Sequence, residues 1–167
     1  MIITLRKELF NHSDMNKYIG NEIADILPMK EPYMILNELY VDKGIESKCI
    51  IRLTGDEWFL KCHFPSNPIL PGFLLLEAMS EVLLSVFSDE MALTDDKVPL
   101  MAKVSNIVFN GYAIPGDEIE IIAVLDKFKY GVAKGSVSAY KDNGCDRLAS
   151  VDIQFVDSNL IQIKGQI

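Results

Sequence analysis

Two kinds of hydrophobic stretch divide the chain: short β-type runs bounded by turn residues, and one run that is apolar on nearly every face of a helix. Tyr33–Val41 and Glu46–Leu53 are β-type, and Asp42-Lys43-Gly44 between them reads as a hairpin turn. Leu100–Asn110, Glu118–Lys127, Gly131–Tyr140 and Arg147–Val156 follow as further strand candidates. Ile114-Pro115-Gly116-Asp117 and Lys141-Asp142-Asn143-Gly144 supply turns between them. Phe73–Phe87 differs in kind: Leu74, Leu75, Leu76, Ala78, Met79, Val82, Leu83, Leu84 and Val86 leave it almost no polar face, the mark of a core helix. A second, peripheral helix is predicted over Met15–Leu27, where Tyr18, Ile19, Ile23, Ile26 and Leu27 recur at helical spacing. It follows the capping side chains of Asn11-His12-Ser13-Asp14 and stops at Pro28. Thr54–Pro71 is a long shaped loop, because Pro65, Pro68 and Pro71 each remove a backbone donor.

An antiparallel sheet of five or six strands wrapped around one long buried helix is the economical way to cover that helix, so an α+β fold is expected. No alternating βαβα order, no glycine-rich phosphate loop, no internal repeat and no low-complexity segment is present, which argues against a nucleotide-binding fold. At 167 residues, 49% apolar, the chain suits a single domain, 1–167. Residues 1–27 would be its N-terminal extension and peripheral helix, and 72–88 its central helix.

Charge narrows the partners. A formal net charge of −8 argues against nucleic acid. The N-terminus, Met1-Ile2-Ile3-Thr4-Leu5-Arg6-Lys7-Glu8, breaks into charge before any signal-like stretch, and no run approaches the roughly 18 apolar residues of a membrane span. A cytoplasmic location is the expectation. Cys49, Cys62 and Cys145 are odd in number and lack metal-type spacing, so they read as reduced thiols.

Of two histidines, His12 lies in a polar stretch, whereas His63 sits in the proline-rich loop that leads to the core helix. A neutral imidazole can take a proton at cellular pH; a hydrogen-bonded structural histidine would fit the same loop. Glu77 interrupts the core helix between Leu76 and Ala78, and Glu81 follows one turn later. Burial and like charge both raise a carboxyl's pKa and would make Glu77 a proton donor. The alternative is that both glutamates lie on the helix's one exposed stripe. Pro71-Gly72 opens the helix, where free N–H groups and the positive end of the dipole can stabilise charge on a carbonyl; proline is also an ordinary helix start. A base, an acid in an apolar helix and a helix-terminus donor are together the parts for elimination next to a carbonyl.

The stretch Trp58-Phe59-Leu60-Lys61-Cys62-His63-Phe64-Pro65-Ser66-Asn67-Pro68-Ile69-Leu70-Pro71-Gly72-Phe73-Leu74-Leu75-Leu76-Glu77-Ala78-Met79 resembles the signature of bacterial 3-hydroxyacyl-acyl carrier protein dehydratases. Leu27-Pro28-Met29-Lys30-Glu31-Pro32-Tyr33 is similar to that family's opening segment, and Phe109 with Pro115-Gly116-Asp117 to its later strand and turn. The resemblance covers roughly Leu27 to Val156. It implies a hot-dog fold, a homodimer or trimer of dimers, and sites at the interface where His63 of one subunit faces Glu77 of the other. It further implies that His63 abstracts the α-proton, Glu77 protonates the leaving hydroxyl, the Gly72 N–H polarises the thioester carbonyl and the Ile69 carbonyl orients the imidazole. No metal or redox cofactor is expected.

Glutamate at position 77 resembles the general elongation branch of the family, while Trp58 and Cys62 resemble the branch that also isomerises the double bond. Three departures stand out: Met29 where histidine is usual, Glu81 where glutamine is usual, and Lys61-Cys62 with Ser66 in place of smaller residues. Pro71, Phe73 and Glu81 join Ile69 as candidate binding or orienting residues, and Phe73, Leu74 and Met101 as candidate linings of an acyl tunnel that core packing explains equally well. The expected partner is an acyl chain on carrier protein or CoA, with Lys61, Lys127, Lys129 and Lys134 as candidate carrier contacts. An acyl thioesterase and a non-catalytic acyl-binding subunit are the rival readings, since a shared fold does not fix function.

Overall fold

The computed structural model describes residues 15–30, 32–91, 98–141 and 144–160. Seven strands and one long helix dominate these residues. The strands are β1 (Asn16–Ile19), β2 (Glu38–Asp42), β3 (Glu46–Arg52), β4 (Pro99–Phe109), β5 (Glu118–Lys129), β6 (Val132–Lys141) and β7 (Asp146–Asp157); the helix, α1, is Gly72–Met91. All seven strands form one sheet in the order β1-β2-β3-β5-β6-β7-β4. Every neighbouring pair is antiparallel.

Period-2 patterning sets which face meets the helix. In β3, Ser47, Cys49 and Ile51 are buried, and in β7 Ala149, Val151, Ile153 and Phe155 are buried, with less buried neighbours between them. The helix lies against β2, β3, β5 and β6. Val82, Leu83, Leu84, Val86 and Phe87 are all but inaccessible, each burial contributing roughly 1.5–3 kcal/mol. Leu83 approaches β6 so closely that a Cβ on Gly135 would fall 2.4 Å from its Cδ1 and 2.6 Å from the Val124 carbonyl oxygen. A glycine is therefore required there. The β2–β3 hairpin holds the helix from its other side: the Gly44 N–H donates to the Val86 carbonyl at 2.8 Å, and the Ser47 hydroxyl donates to that of Val82. This clamp fixes the axial position of α1, and with it that of Glu77 and Glu81.

The helix expected over Met15–Leu27 is replaced by β1 and a 3₁₀ turn, Gly20–Asp25. Gly20 adopts φ +55, which ends the extended run, and Tyr18 and Ile19 pair with Leu39 and Glu38 of β2. The apolar spacing still marks the residues that anchor the segment, since Ile23 and Leu27 are buried. The capping residues Asn11-His12-Ser13-Asp14 lie outside the described residues, as does Asp142-Asn143 of the last expected turn. β1 brings the sheet to seven strands instead of five or six. The strand expected from Tyr33 begins only at Glu38; residues 34–36 carry no regular structure, and the Trp58 indole donates to the Pro32 carbonyl at 3.2 Å. The remaining strands fall within about two residues of their sequence boundaries, while α1 continues to Met91, past the expected end at Phe87, where φ −125 and ψ 15 kink it; together they give the helix-wrapped antiparallel sheet of a hot-dog fold. No helix among the described residues is long and apolar enough to cross a membrane.

Candidate active site

His63 is set by a tight loop. Its N–H donates to the Phe59 carbonyl at 2.9 Å, and its carbonyl accepts from the Ile69 N–H at 2.8 Å. Its Nδ1 lies 3.0 Å from the Ile69 carbonyl oxygen. A carbonyl only accepts, so Nδ1 carries the hydrogen and, in the neutral ring, Nε2 is left with its lone pair. The Phe64 ring stacks on the imidazole with centroids 4.2 Å apart, and the His63–Phe64 peptide is cis. The half-buried imidazole thus presents one proton-accepting atom in a fixed orientation.

The loop returns to the sheet through the Leu70 N–H, which donates to the Ala113 carbonyl at 2.9 Å, and α1 starts two residues later. Gly72 is pressed by Phe109 of β4: a Cβ there would stand 3.2 Å from the ring's Cε1. The Leu74 and Leu75 N–H groups donate to the Pro71 carbonyl at 3.0 Å, so those of Gly72 and Phe73 are the first-turn donors left at the positive dipole end. Phe73 points outward, 83% exposed.

Glu77 lies one and a half turns further along and is half-buried, while Glu81 is buried at 1% exposure. The exposed-stripe alternative therefore does not hold for Glu81. Glu77 lines an open cavity of about 320 Å³ with Met29, Ser80, Leu84, Met101 and Phe155 among its walls. Burial pushes the Glu77 carboxyl up, and a hydrogen bond from the Tyr33 hydroxyl pulls it partly back. Burial first, and the charge of Glu77 second, push the Glu81 carboxyl up to about 8. Of the expected acyl lining, Met101 borders this cavity; Phe73 and Leu74 do not, and neither does His63.

The candidate carrier contacts separate into two places. Lys127 and Lys134 face one another across β5 and β6, near Lys129 and the Tyr130–Gly131 turn. The loop that carries His63 leaves from the opposite end of β5, where the Leu53 N–H donates to the Asp117 carbonyl at 3.1 Å. Only Lys61 is near the imidazole in sequence. Two cations not singled out from sequence, Lys141 and Arg147, lie at that end and line a second cavity of about 330 Å³ with Tyr112 and Cys145. Tyr33 was likewise not singled out as a partner of Glu77. It was visible as the last residue of the Leu27–Tyr33 segment, but nothing local indicates that its loop turns back onto α1.

A belt of exposed apolar residues joins these features: Phe64 and Phe73 beside the loop, and Met101, Val104, Val108 and Phe109 along β4. β4 is an outer strand of the sheet, paired only with β7. Exposed apolar edges of this kind mark association surfaces.

Comparison with known proteins gives a concordant picture. Residues 39–145 match the family model described as a FabA-like domain. The chain is 29% identical over 139 residues to the 3-hydroxyacyl-[acyl-carrier-protein] dehydratase FabZ of Acetivibrio thermocellus, covering 83% of this chain and 94% of that one. It is 31% identical over 125 residues to the FabZ dehydratase of Caldicellulosiruptor saccharolyticus, covering 74% and 88%. Among solved structures it resembles the dehydratase heterocomplex ApeI:P from Xenorhabdus doucetiae, with a TM-score of 0.70 at 15% identity over 86% of this chain and 97% of that one. A thioesterase superfamily member of Thermus thermophilus matches with a TM-score of 0.55 at 17% identity, over 70% and 82%. At such identities these structural likenesses speak for the shared fold.

Proposed function

The chain belongs to the FabA-like family of 3-hydroxyacyl-acyl carrier protein dehydratases, and on that footing we propose that it reversibly dehydrates a 3-hydroxyacyl thioester to the trans-2-enoyl thioester in fatty-acid or related acyl-chain biosynthesis. The observation that carries the assignment is the His63 Nδ1 to Ile69 carbonyl contact, which leaves Nε2 free to accept a proton. Nε2 takes the α-proton as the first-turn N–H of α1 at Gly72 holds the thioester carbonyl. The Cα–Cβ double bond forms as the C–O bond breaks, and Glu77 gives its proton to the departing hydroxyl, so that water leaves. Pro71 and Phe73 shape the approach to the Gly72 N–H.

The site is assembled from two copies of the chain. The support for a homodimer is the apolar edge of β4 beside the exposed Phe73 and Phe64, which would be covered by the same surface of a second copy, with His63 of one protomer facing Glu77 of its partner. The acyl carrier docks near Lys61 and Arg147, at the end of the sheet from which the His63 loop leaves, where Lys141 is already paired with Asp117 at 3.7 Å. The enzyme works in the cytoplasm as a single domain. Incubation with a 3-hydroxyacyl thioester tests the activity: the conjugated enoyl thioester is expected to appear by its absorbance. Release of free thiol without that absorbance would identify a thioesterase instead.

A further inference from the structure

The cavity beside Glu77 follows α1. Glu77, Ser80 and Leu84 are spaced by three and four residues, so they form one stripe along the helix, and all three line the space. At the helical rise, Glu77 and Leu84 stand about 10 Å apart along the axis. Glu77 is the one charged group in the lining. The Ser80 hydroxyl donates back to the Glu77 carbonyl at 2.8 Å, so its hydrogen is used within the helix. Beyond Glu77 the walls therefore suit an apolar chain and offer no partner to a charged one.

Leu84 and Phe155 are the most deeply buried apolar side chains of this lining, at 1% and 4% exposure. Phe155 is backed by Phe87, with ring centroids 5.6 Å apart, and Phe87 by Phe128 at 6.1 Å. A close-packed aromatic cluster of this kind does not give way to an entering chain. The remaining walls are softer. Met29 is half-buried in a loop, and Met101 on β4 is 38% exposed, so the cavity opens along the sheet edge that a second copy would cover.

We propose that Leu84 and Phe155 set the acyl-chain length of this dehydratase. The tail of the substrate runs along α1 from Glu77 and stops at these two side chains, which leaves room for about eight carbons past the hydroxyl-bearing one at ordinary C–C bond lengths. This rests on the reading of Glu77 as the acid, which puts the reacting carbons at one end of the cavity and the tail in the rest. The substrate class is then a medium-chain 3-hydroxyacyl thioester, about ten to twelve carbons in all. A volume of about 320 Å³, at the small end of ligand sites, agrees with such a chain. Because Glu77 and His63 come from different protomers, the tail and the thioester of one substrate lie in different protomers too.

The test follows kcat/KM for dehydration along a series of 3-hydroxyacyl pantetheine thioesters from short to long chains. Each methylene that enters the cavity is expected to raise kcat/KM about three- to fourfold, and the rise is expected to end at about ten to twelve carbons. Leu84→Ala and Phe155→Leu deepen the floor and are expected to move that break to longer chains, by on the order of two carbons. Met29→Trp, at a half-buried position that does not endanger folding, fills the cavity from its open side and is expected to move the break to shorter chains. A rise that continues to the longest chain in the unsubstituted protein would overturn the proposal. So would a break that stays in place in the substituted proteins that fold, or an equal fall at every chain length. Calorimetric binding of saturated acyl pantetheine thioesters reads the same break without turnover. A protein that binds with the break and does not dehydrate thus sinks the activity reading alone.

Discussion

The Nδ1 of His63 stands 3.0 Å from the carbonyl oxygen of Ile69, and the Ile69 N–H returns a 2.8 Å bond to the His63 carbonyl. This reciprocal pair closes the loop His63–Ile69 on itself and decides which imidazole nitrogen faces outward. The loop then enters α1 directly, so the base and the helix-terminus donor are carried by one rigid unit.

Replacing His63 by Ala should therefore lower the dehydration rate by about 10²–10⁴-fold, the usual worth of a positioned general base. The imidazole is only half-buried, so thermal unfolding should move little. Steady-state rates and a melting curve on the same sample check both halves.

Tyr33 donates to Glu77 and opposes the rise that burial causes. Tyr33→Phe removes that donor and lets Glu77 hold its proton to higher pH. The alkaline limb of the kcat/KM profile should move up. A limb that moves down would show that the hydroxyl does not act on the Glu77 carboxylate.

Stability should carry the signature of Glu81. Its carboxyl titrates near 4.5 when exposed and near 8 in the fold. The stabilisation linked to the proton is thus full below about pH 4.5, declines as pH rises and is gone above about 8, a change on the order of 5 kcal/mol at most. Urea midpoints at pH 5.5 and 8.5 should differ clearly for the unsubstituted protein and much less for Glu81→Gln.

Gly135→Ala should destabilise without touching the chemistry. The new methyl would meet Leu83 and a backbone carbonyl of β5 that cannot step aside. Overpacking of this kind costs about 1–3 kcal/mol, readable as a lower melting temperature with near-normal kcat in the folded fraction.

Much of this arrangement was legible in the chain. The apolar run around Leu83 and Leu84 specifies a helix buried on most sides, and the strands that wrap it alternate as expected. His63, Gly72 and Glu77 stand out locally because each breaks or punctuates a pattern. The first segment misled for a physical reason: Tyr18, Ile19 and Ile23 have helical spacing, but Gly20 and pairing with β2 override it. Helical spacing showed only that residues 77 and 81 share a face, because the depth of that face depends on which strands cover it. The contact of Tyr33 with Glu77 and the grouping of Lys141 and Arg147 near the His63 end depend on chain segments far apart in sequence, and no local pattern encodes them.

The central claim is that His63 and Glu77 from different copies of the chain form one acid/base site, and mixed dimers test it most directly. His63→Ala and Glu77→Gln proteins, each inactive alone, are mixed in equal amounts, allowed to exchange subunits and checked by native mass spectrometry. A mixed dimer holds one site with neither substitution, so activity should return to roughly a quarter of that of the unsubstituted enzyme. A mixture that has exchanged yet stays as inactive as its parents would contradict the shared site.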